Sequence, residues 1–136
     1  MLLETSFLVD FLADVPGARK LAEELDRTGD VLRIPSPSAF ELWVGISRSL
    51  DPGEETVRVR RLLASYEVIP YVAEAARLSG ELQGELSKRG EALGTIDAQL
   101  AGIALARGET LVTGDVRLLK LGHGLRTRSY RRRSRR

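Results

Sequence analysis

The stretch that decides the fold runs from residue 94 to residue 115: Gly-Thr-Ile-Asp-Ala-Gln-Leu-Ala-Gly-Ile-Ala-Leu-Ala-Arg-Gly-Glu-Thr-Leu-Val-Thr-Gly-Asp. Thr95 is placed to cap an apolar, alanine-rich helix over residues 96–107, and Gly108 closes it. Residues 110–113 then read as a strand ending in the turn Gly114-Asp115. A helix of this length feeding a short strand is part of a βαβ unit, whose strands lie parallel.

The same alternation continues outward. Toward the amino end, residues 72–89 carry Val72, Ala75, Ala76, Leu82 and Leu86 on one helical stripe, and Gly90 ends it. Before it lie a strand at 66–70, a charged helix at 54–65 and the break Asp51-Pro52-Gly53. Ser36-Pro37 opens a helix that passes through Phe40, Val44 and Ser47, entered from a strand at 31–34. An amphipathic helix at 18–27, stopped by Gly29, follows the break Pro16-Gly17. The chain starts with the apolar residues 1–3, then Glu4-Thr5-Ser6 and a compact apolar turn at 7–12. Past Asp115, residues 124–130 read as a last strand. The expected fold is α/β: a three-layer α/β/α arrangement with a mostly parallel central sheet of four or five strands. Residues 1–130 are expected to form one domain and residues 131–136 a basic tail.

Composition narrows the chemistry. The chain has 136 residues, of which 43% are hydrophobic, enough for a buried core. Cysteine is absent, which removes disulfides, thiolate catalysis and thiolate-bound zinc. The single histidine, His123, provides no metal-binding cluster and reads as a surface-loop residue between Gly122 and Gly124. No apolar run approaches the ~18 residues of a membrane span, and the opening residues lack a signal-peptide pattern, so a soluble cytoplasmic protein with no membrane partner is expected. The formal net charge of +2 hides an asymmetry: seven of the 21 Lys and Arg fall in residues 126–136, so residues 1–125 carry 14 basic and 19 acidic side chains, a net of −5. An arginine-rich end can hold phosphate groups; it can equally be a solvated terminus.

Ligand sites in open α/β sheets lie beyond the carboxyl ends of the strands. Glu4 follows the first strand, and Asp115 follows the strand at 110–113. Glu41 and Asp97 sit near the starts of two helices that face the same edge. Each acid also has a structural explanation. Ser38 to Glu41 matches a capping box, Asp97 suits a helix N-terminus, Gly114-Asp115 is turn chemistry, and Glu4-Thr5-Ser6 can cap a helix. Four carboxylates at one edge, however, repel one another unless a cation is present.

The order of these motifs resembles that of the PIN domain family. Leu3-Glu4-Thr5-Ser6-Phe7-Leu8 resembles the family's opening motif, Ser38-Ala39-Phe40-Glu41-Leu42 its second, Gly94-Thr95-Ile96-Asp97-Ala98 its third, and Val112-Thr113-Gly114-Asp115 its fourth. Size and architecture resemble the VapC-type toxins of toxin–antitoxin pairs. Two departures stand out. Glu4 occupies a position that is normally aspartate, and Val116-Arg117-Leu118-Leu119 offers no further acid or histidine after the fourth motif.

The resemblance implies a metal-dependent endoribonuclease that hydrolyses RNA at a four-carboxylate site of Glu4, Glu41, Asp97 and Asp115, holding Mg²⁺ or Mn²⁺ and leaving 5′-phosphate and 3′-hydroxyl ends. It implies a small antitoxin partner, received on the helices at 18–27 and 54–65, and a homodimer or toxin–antitoxin hetero-oligomer. Arg33, Arg48, Lys88, Arg89 and the tail are candidates for the RNA track, and Trp43 reads as a core or interface residue. Two other readings are set beside this one. A catalytically weakened PIN domain would serve as an RNA- or protein-binding module. A phospho-receiver domain would require paired acids after the first strand, where this chain has Glu4-Thr5.

Overall fold

A computed structural model of the chain describes residues 1–131. The tail expected at 131–136 therefore lies outside the described residues except for Arg131. Among the described residues five strands form one sheet: β1 (Leu2–Leu3), β2 (Arg33–Pro35), β3 (Glu67–Ile69), β4 (Leu111–Val112) and β5 (Thr127–Arg128). Their order is β3-β2-β1-β4-β5, and every pairing is parallel. Seven helices among the described residues connect them: α1 (Thr5–Leu12), α2 (Pro16–Thr28), α3 (Ser36–Ser47), α4 (Pro52–Ser65), α5 (Ala73–Lys88), α6 (Thr95–Arg107) and α7 (Val116–Leu119). This is the expected three-layer α/β/α arrangement.

The two central strands explain the layers. Successive strand side chains point to opposite faces. Leu3 and Val112 join one core with Phe7, Leu8, Leu21, Leu25, Leu42, Val59 and Leu62 of α1 to α4. Leu2 and Leu111 join a second core with Ala75, Leu82, Leu86, Ala101 and Ile103 of α5 and α6. Each of these four strand leucines and valines is at most 1% exposed, so the short central strands are apolar throughout, as a sheet covered on both faces requires.

Several boundaries differ from the sequence reading. The apolar turn at 7–12 belongs to helix α1, which starts at Thr5 because the Glu4 side chain accepts a hydrogen bond from the Ser6 backbone N–H. Helices α2 and α4 begin at Pro16 and Pro52, where proline's missing N–H is harmless. Thr95 does not cap α6; Gly94 is the N-cap, with no side-chain bond. At its other end, Gly108 closes α6 in the left-handed region at φ 61°, as expected. The last strand is only Thr127–Arg128, because Gly122, His123 and Gly124 have φ of 71°, 54° and 82° and shape an exposed loop. Helix α7 has four residues, too few for a periodic signal. Trp43 is not a core residue: it is 40% exposed, with the Arg60 guanidinium 5.4 Å from its ring centre.

Among the described residues no helix is long and apolar enough to cross a membrane.

Candidate active site

The adjacent parallel strands β1 and β4 end side by side, and an acid follows each. Glu4 is the N-cap of α1, and Asp115 is the N-cap of α7, accepting from the Arg117 backbone N–H at 2.8 Å. Asp97 lies in the first turn of α6. Glu41 lies farther along α3, facing α1: its Oε1 accepts a 2.6 Å hydrogen bond from the Thr5 hydroxyl. The capping box read from Ser38 and Glu41 is therefore not formed. Helix α3 starts two residues before Ser38, after the N-cap Pro35, and has no side-chain cap bond. The buried Ser38 hydroxyl instead lies 3.2 Å from the Thr5 hydroxyl, whose one proton goes to Glu41.

Glu4 is the most enclosed of the four, at 4% exposure. Its Oε2 accepts from the Ser6 backbone N–H at 2.8 Å, from the Ser6 hydroxyl, and from the Thr113 hydroxyl at 2.9 Å. Thr113 in turn accepts from the Asp115 N–H at 3.0 Å, and the Ser6 hydroxyl accepts from the Gly114 N–H at 2.9 Å. The turn after β4 is thus fastened to the turn after β1 through two hydroxyls. Glu4 Oε1 makes no hydrogen bond among the described residues.

The acids share an electric field. Burial raises the Asp97 carboxyl above its ordinary pKa, and the charges of Asp115 and Glu41 push it further; Arg117 acts in the opposite direction. Burial also raises Glu4, against the lowering effect of its bonds to Ser6 and Thr113, and Asp97 adds to the rise. All four sequence-expected acids are linked in this way at one sheet edge. They are not drawn into a cage: among the described residues, no group of three His, Cys, Asp or Glu side chains stands close enough to hold one ion. The donor set nevertheless suits a hard, hydrated divalent cation, since it is all carboxylate and its mutual repulsion is relieved by positive charge.

The basic candidates separate. Arg33 is not on this edge; it occupies the first position of β2, where it pairs with Glu109 at 2.6 Å and Glu67 at 3.4 Å. Arg89 pairs with Glu85 at 2.9 Å, Lys88 is exposed at the end of α5, and Arg48 is the exposed C-cap of α3. The sequence reading missed Arg117, Asp10 and Tyr130, whereas Arg131 opens the basic tail that it named as a candidate for the RNA track. Arg117 donates to the Ala92 carbonyl at 2.6 Å. The Tyr130 hydroxyl meets Asp10 Oδ2 at 2.6 Å and the Ser6 carbonyl at 2.9 Å.

A parallel α/β/α sheet with acids at the ends of its two central strands defines a class. Residues 1–124 match the family model described as PIN domain, and the chain belongs to the PIN domain family. It is 31% identical over 97 residues to a tRNA(fMet)-specific endonuclease VapC of Salmonella typhimurium, covering 71% of this chain and 74% of that protein. A Shigella flexneri protein of the same name is 26% identical over 129 residues, covering 95% and 96%. Among solved structures, VapBC2 of Rickettsia felis bound to a DNA fragment from its promoter superposes with a TM-score of 0.85 at 26% identity, covering 94% of this chain and 96% of that one.

Proposed function

We propose that this PIN domain is a metal-dependent endoribonuclease of the VapC type, the toxin of a toxin–antitoxin pair. The observation that carries the reading is the placement of the acids: Glu4 and Asp115 cap the helices that follow the paired strands β1 and β4, Asp97 lies in the first turn of α6, and Glu41 is held by Thr5 of α1. Burial and like charge hold Asp97 in a state that a cation would relieve. The names of the VapC relatives, one a tRNA-specific endonuclease and another a ribonuclease, supply the substrate class.

In this reading Glu4, Asp97 and Asp115 would hold the ion, which requires their side chains to move together from where they stand, and Glu41 would complete the set or orient water. A bound Mg²⁺ or Mn²⁺ supplies the positive charge that carboxylates lack, acting on the phosphate oxygens and the attacking water. The chain's own residues do the positioning. Ser6 and Thr113 fix one oxygen of Glu4 and make no bond to the other, while Thr5 fixes one oxygen of Glu41. Attack by water, rather than by the RNA 2′-hydroxyl, leaves a 5′-phosphate and a 3′-hydroxyl. End-group analysis of the cleavage products tests this step: 5′-phosphates are expected, and 2′,3′-cyclic phosphates overturn the mechanism.

A small antitoxin is the proposed partner, in a hetero-oligomer like the VapBC assemblies that the fold matches. A cavity of about 300 Å³ between α1, α3 and α4 supports this, its lining joining apolar Val9, Leu12, Leu42 and Val59 to charged Glu41, Glu55 and Arg58. A second reading, a weakened PIN domain that binds without cutting, draws on the glutamate at position 4 and the open spacing of the acids. RNA binding without cleavage under any divalent cation would favour it.

A further inference from the structure

The last described residues close against the acidic edge, although they lie beyond the sheet. Tyr130 is 6% exposed, with its ring edge-on to Phe7 at 5.3 Å and its hydroxyl against Asp10 and the Ser6 carbonyl. Two glycines make the seat. A Cβ on Gly17 would stand 2.8 Å from the Tyr130 carbonyl oxygen, and a Cβ on Gly114 would stand 2.9 Å from the Tyr130 hydroxyl and 2.7 Å from Arg131 Nε. Gly114 separates Thr113 from Asp115 in the turn after β4. The Arg131 side chain therefore passes alongside the turn that carries one of the four acids.

Arg131 is placed there but not saturated. Its guanidinium lies over the Tyr130 ring at 5.5 Å, and among the described residues it makes two long contacts, Nη1 to the Gly114 carbonyl and Nη2 to Asp10 Oδ2, both 3.4 Å. Its side chain is 58% exposed, and a guanidinium has five N–H donors. Beside it opens a cavity of about 590 Å³ lined by Asp10, Val15, Pro16, Gly17, Lys20, Tyr130 and Arg131. That volume lies within the range of small-ligand sites, about 300–1,000 Å³. Lys20 and Arg131 outweigh Asp10 in charge, and Asp10 already accepts from Tyr130. Val15 and Pro16 provide an apolar wall.

We infer that this cavity is a nucleotide subsite of the nuclease, taking a nucleotide that flanks the scissile bond. Its backbone phosphate is held by Arg131 with Lys20, and its sugar or base rests on Val15 and Pro16. The inference rests on the ribonuclease reading above. It also gives the basic end of the chain a starting point: Tyr130 is the positioning residue that fixes where the first arginine of the tail stands, and a cationic subsite beside the turn that carries Asp115 offsets repulsion of the RNA by the acids.

The test uses the full chain and a short single-stranded RNA, with Arg131→Gln, Lys20→Gln and Tyr130→Phe beside the parent, each checked by thermal melting. Binding is followed without divalent cations across a salt series, and cleavage with Mn²⁺. Arg131→Gln is expected to weaken binding about tenfold, as loss of a charge-assisted hydrogen bond does, and to flatten the salt dependence by about 0.7 in log–log slope. In cleavage its effect falls mainly on KM. Tyr130→Phe is expected to show a smaller KM effect in the same direction, with an unchanged salt slope because no charge is lost. If Arg131→Gln and Lys20→Gln keep the parent's affinity and slope, the subsite is wrong while any parental cleavage leaves the nuclease reading intact. If the parent binds RNA without cutting, the nuclease reading fails and the salt slopes still decide the subsite. A parent that binds no RNA overturns both.

Discussion

The Thr113 hydroxyl donates to Oε2 of Glu4 across 2.9 Å, joining residues 109 positions apart in the chain. The same hydroxyl accepts from the Asp115 N–H, so one side chain orients two of the four acids. Replacing it with an isosteric methyl leaves a buried carboxylate oxygen with fewer donors. Thr113→Val is therefore expected to destabilise the protein by about 1–3 kcal/mol. A urea titration reads this as a lower midpoint with the same slope. An unchanged midpoint would show that the bond adds nothing net.

Glu4 is seated at glutamate's length. Three donors from Ser6 and Thr113 converge on its Oε2. Shortening the side chain by one methylene withdraws the carboxylate from donors fixed by two turns. Glu4→Asp is thus expected to lower RNA cleavage about tenfold, the scale of one weakened charge-assisted bond. Initial rates at matched Mn²⁺ check this. A large gain in rate would instead mark the glutamate as a degenerate substitution.

Acid titration without divalent cations carries a definite sign. Burial raises the folded-state pKa of Asp97 and Glu4 above their ordinary values. Such groups bind protons more tightly when folded, so their destabilising contribution appears as pH rises through the carboxylate range and persists at neutrality. Glu109 works in the opposite sense. Burial favours its neutral form, but Arg107, the terminal amino group and Arg33 lower its pKa overall, giving stability that is lost as pH falls. The Asp97→Asn variant is expected to gain stability relative to the parent between about pH 4 and about pH 7. Urea midpoints in a chelator measure the difference; a flat difference contradicts the shared field.

Helices α5 and α6 approach at Gly102. A Cβ there would stand 1.9 Å from Ser79 Oγ and 2.4 Å from the Ala75 carbonyl oxygen. Ser79 can rotate; the backbone of α5 must move. Gly102→Ala is expected to cost about 1–3 kcal/mol through overpacking, despite alanine's better helix propensity. A melting curve measures it, and a stabilised variant would show that the two helices separate easily.

The layers of this fold are legible in the chain because Leu2, Leu3, Leu111 and Val112 stand in short apolar runs between helical patterns. Asp97 and Asp115 are legible for a related reason, each following a turn that ends or starts an element at the same sheet edge. The role of Glu41 is masked by local pattern. Ser38 and Glu41 have capping-box spacing, yet the helix begins at Ser36, and the partner of Glu41 is Thr5, 36 residues away. Contacts of that separation leave no periodic signal. Tyr130 and Arg131 are hidden in the same way. They read as the end of a strand and the start of an arginine-rich tail, phosphate-holding or solvated, and only the folded chain lays them against Asp10 and Gly114.

The most direct measurement incubates the purified chain, free of any partner, with structured and single-stranded RNAs in Mg²⁺, in Mn²⁺ and in chelator, beside an Asp97→Ala control. Cleavage is expected to require the divalent cation and to disappear in the control. Cleavage that persists in Asp97→Ala, or in chelator, would contradict the four-carboxylate centre.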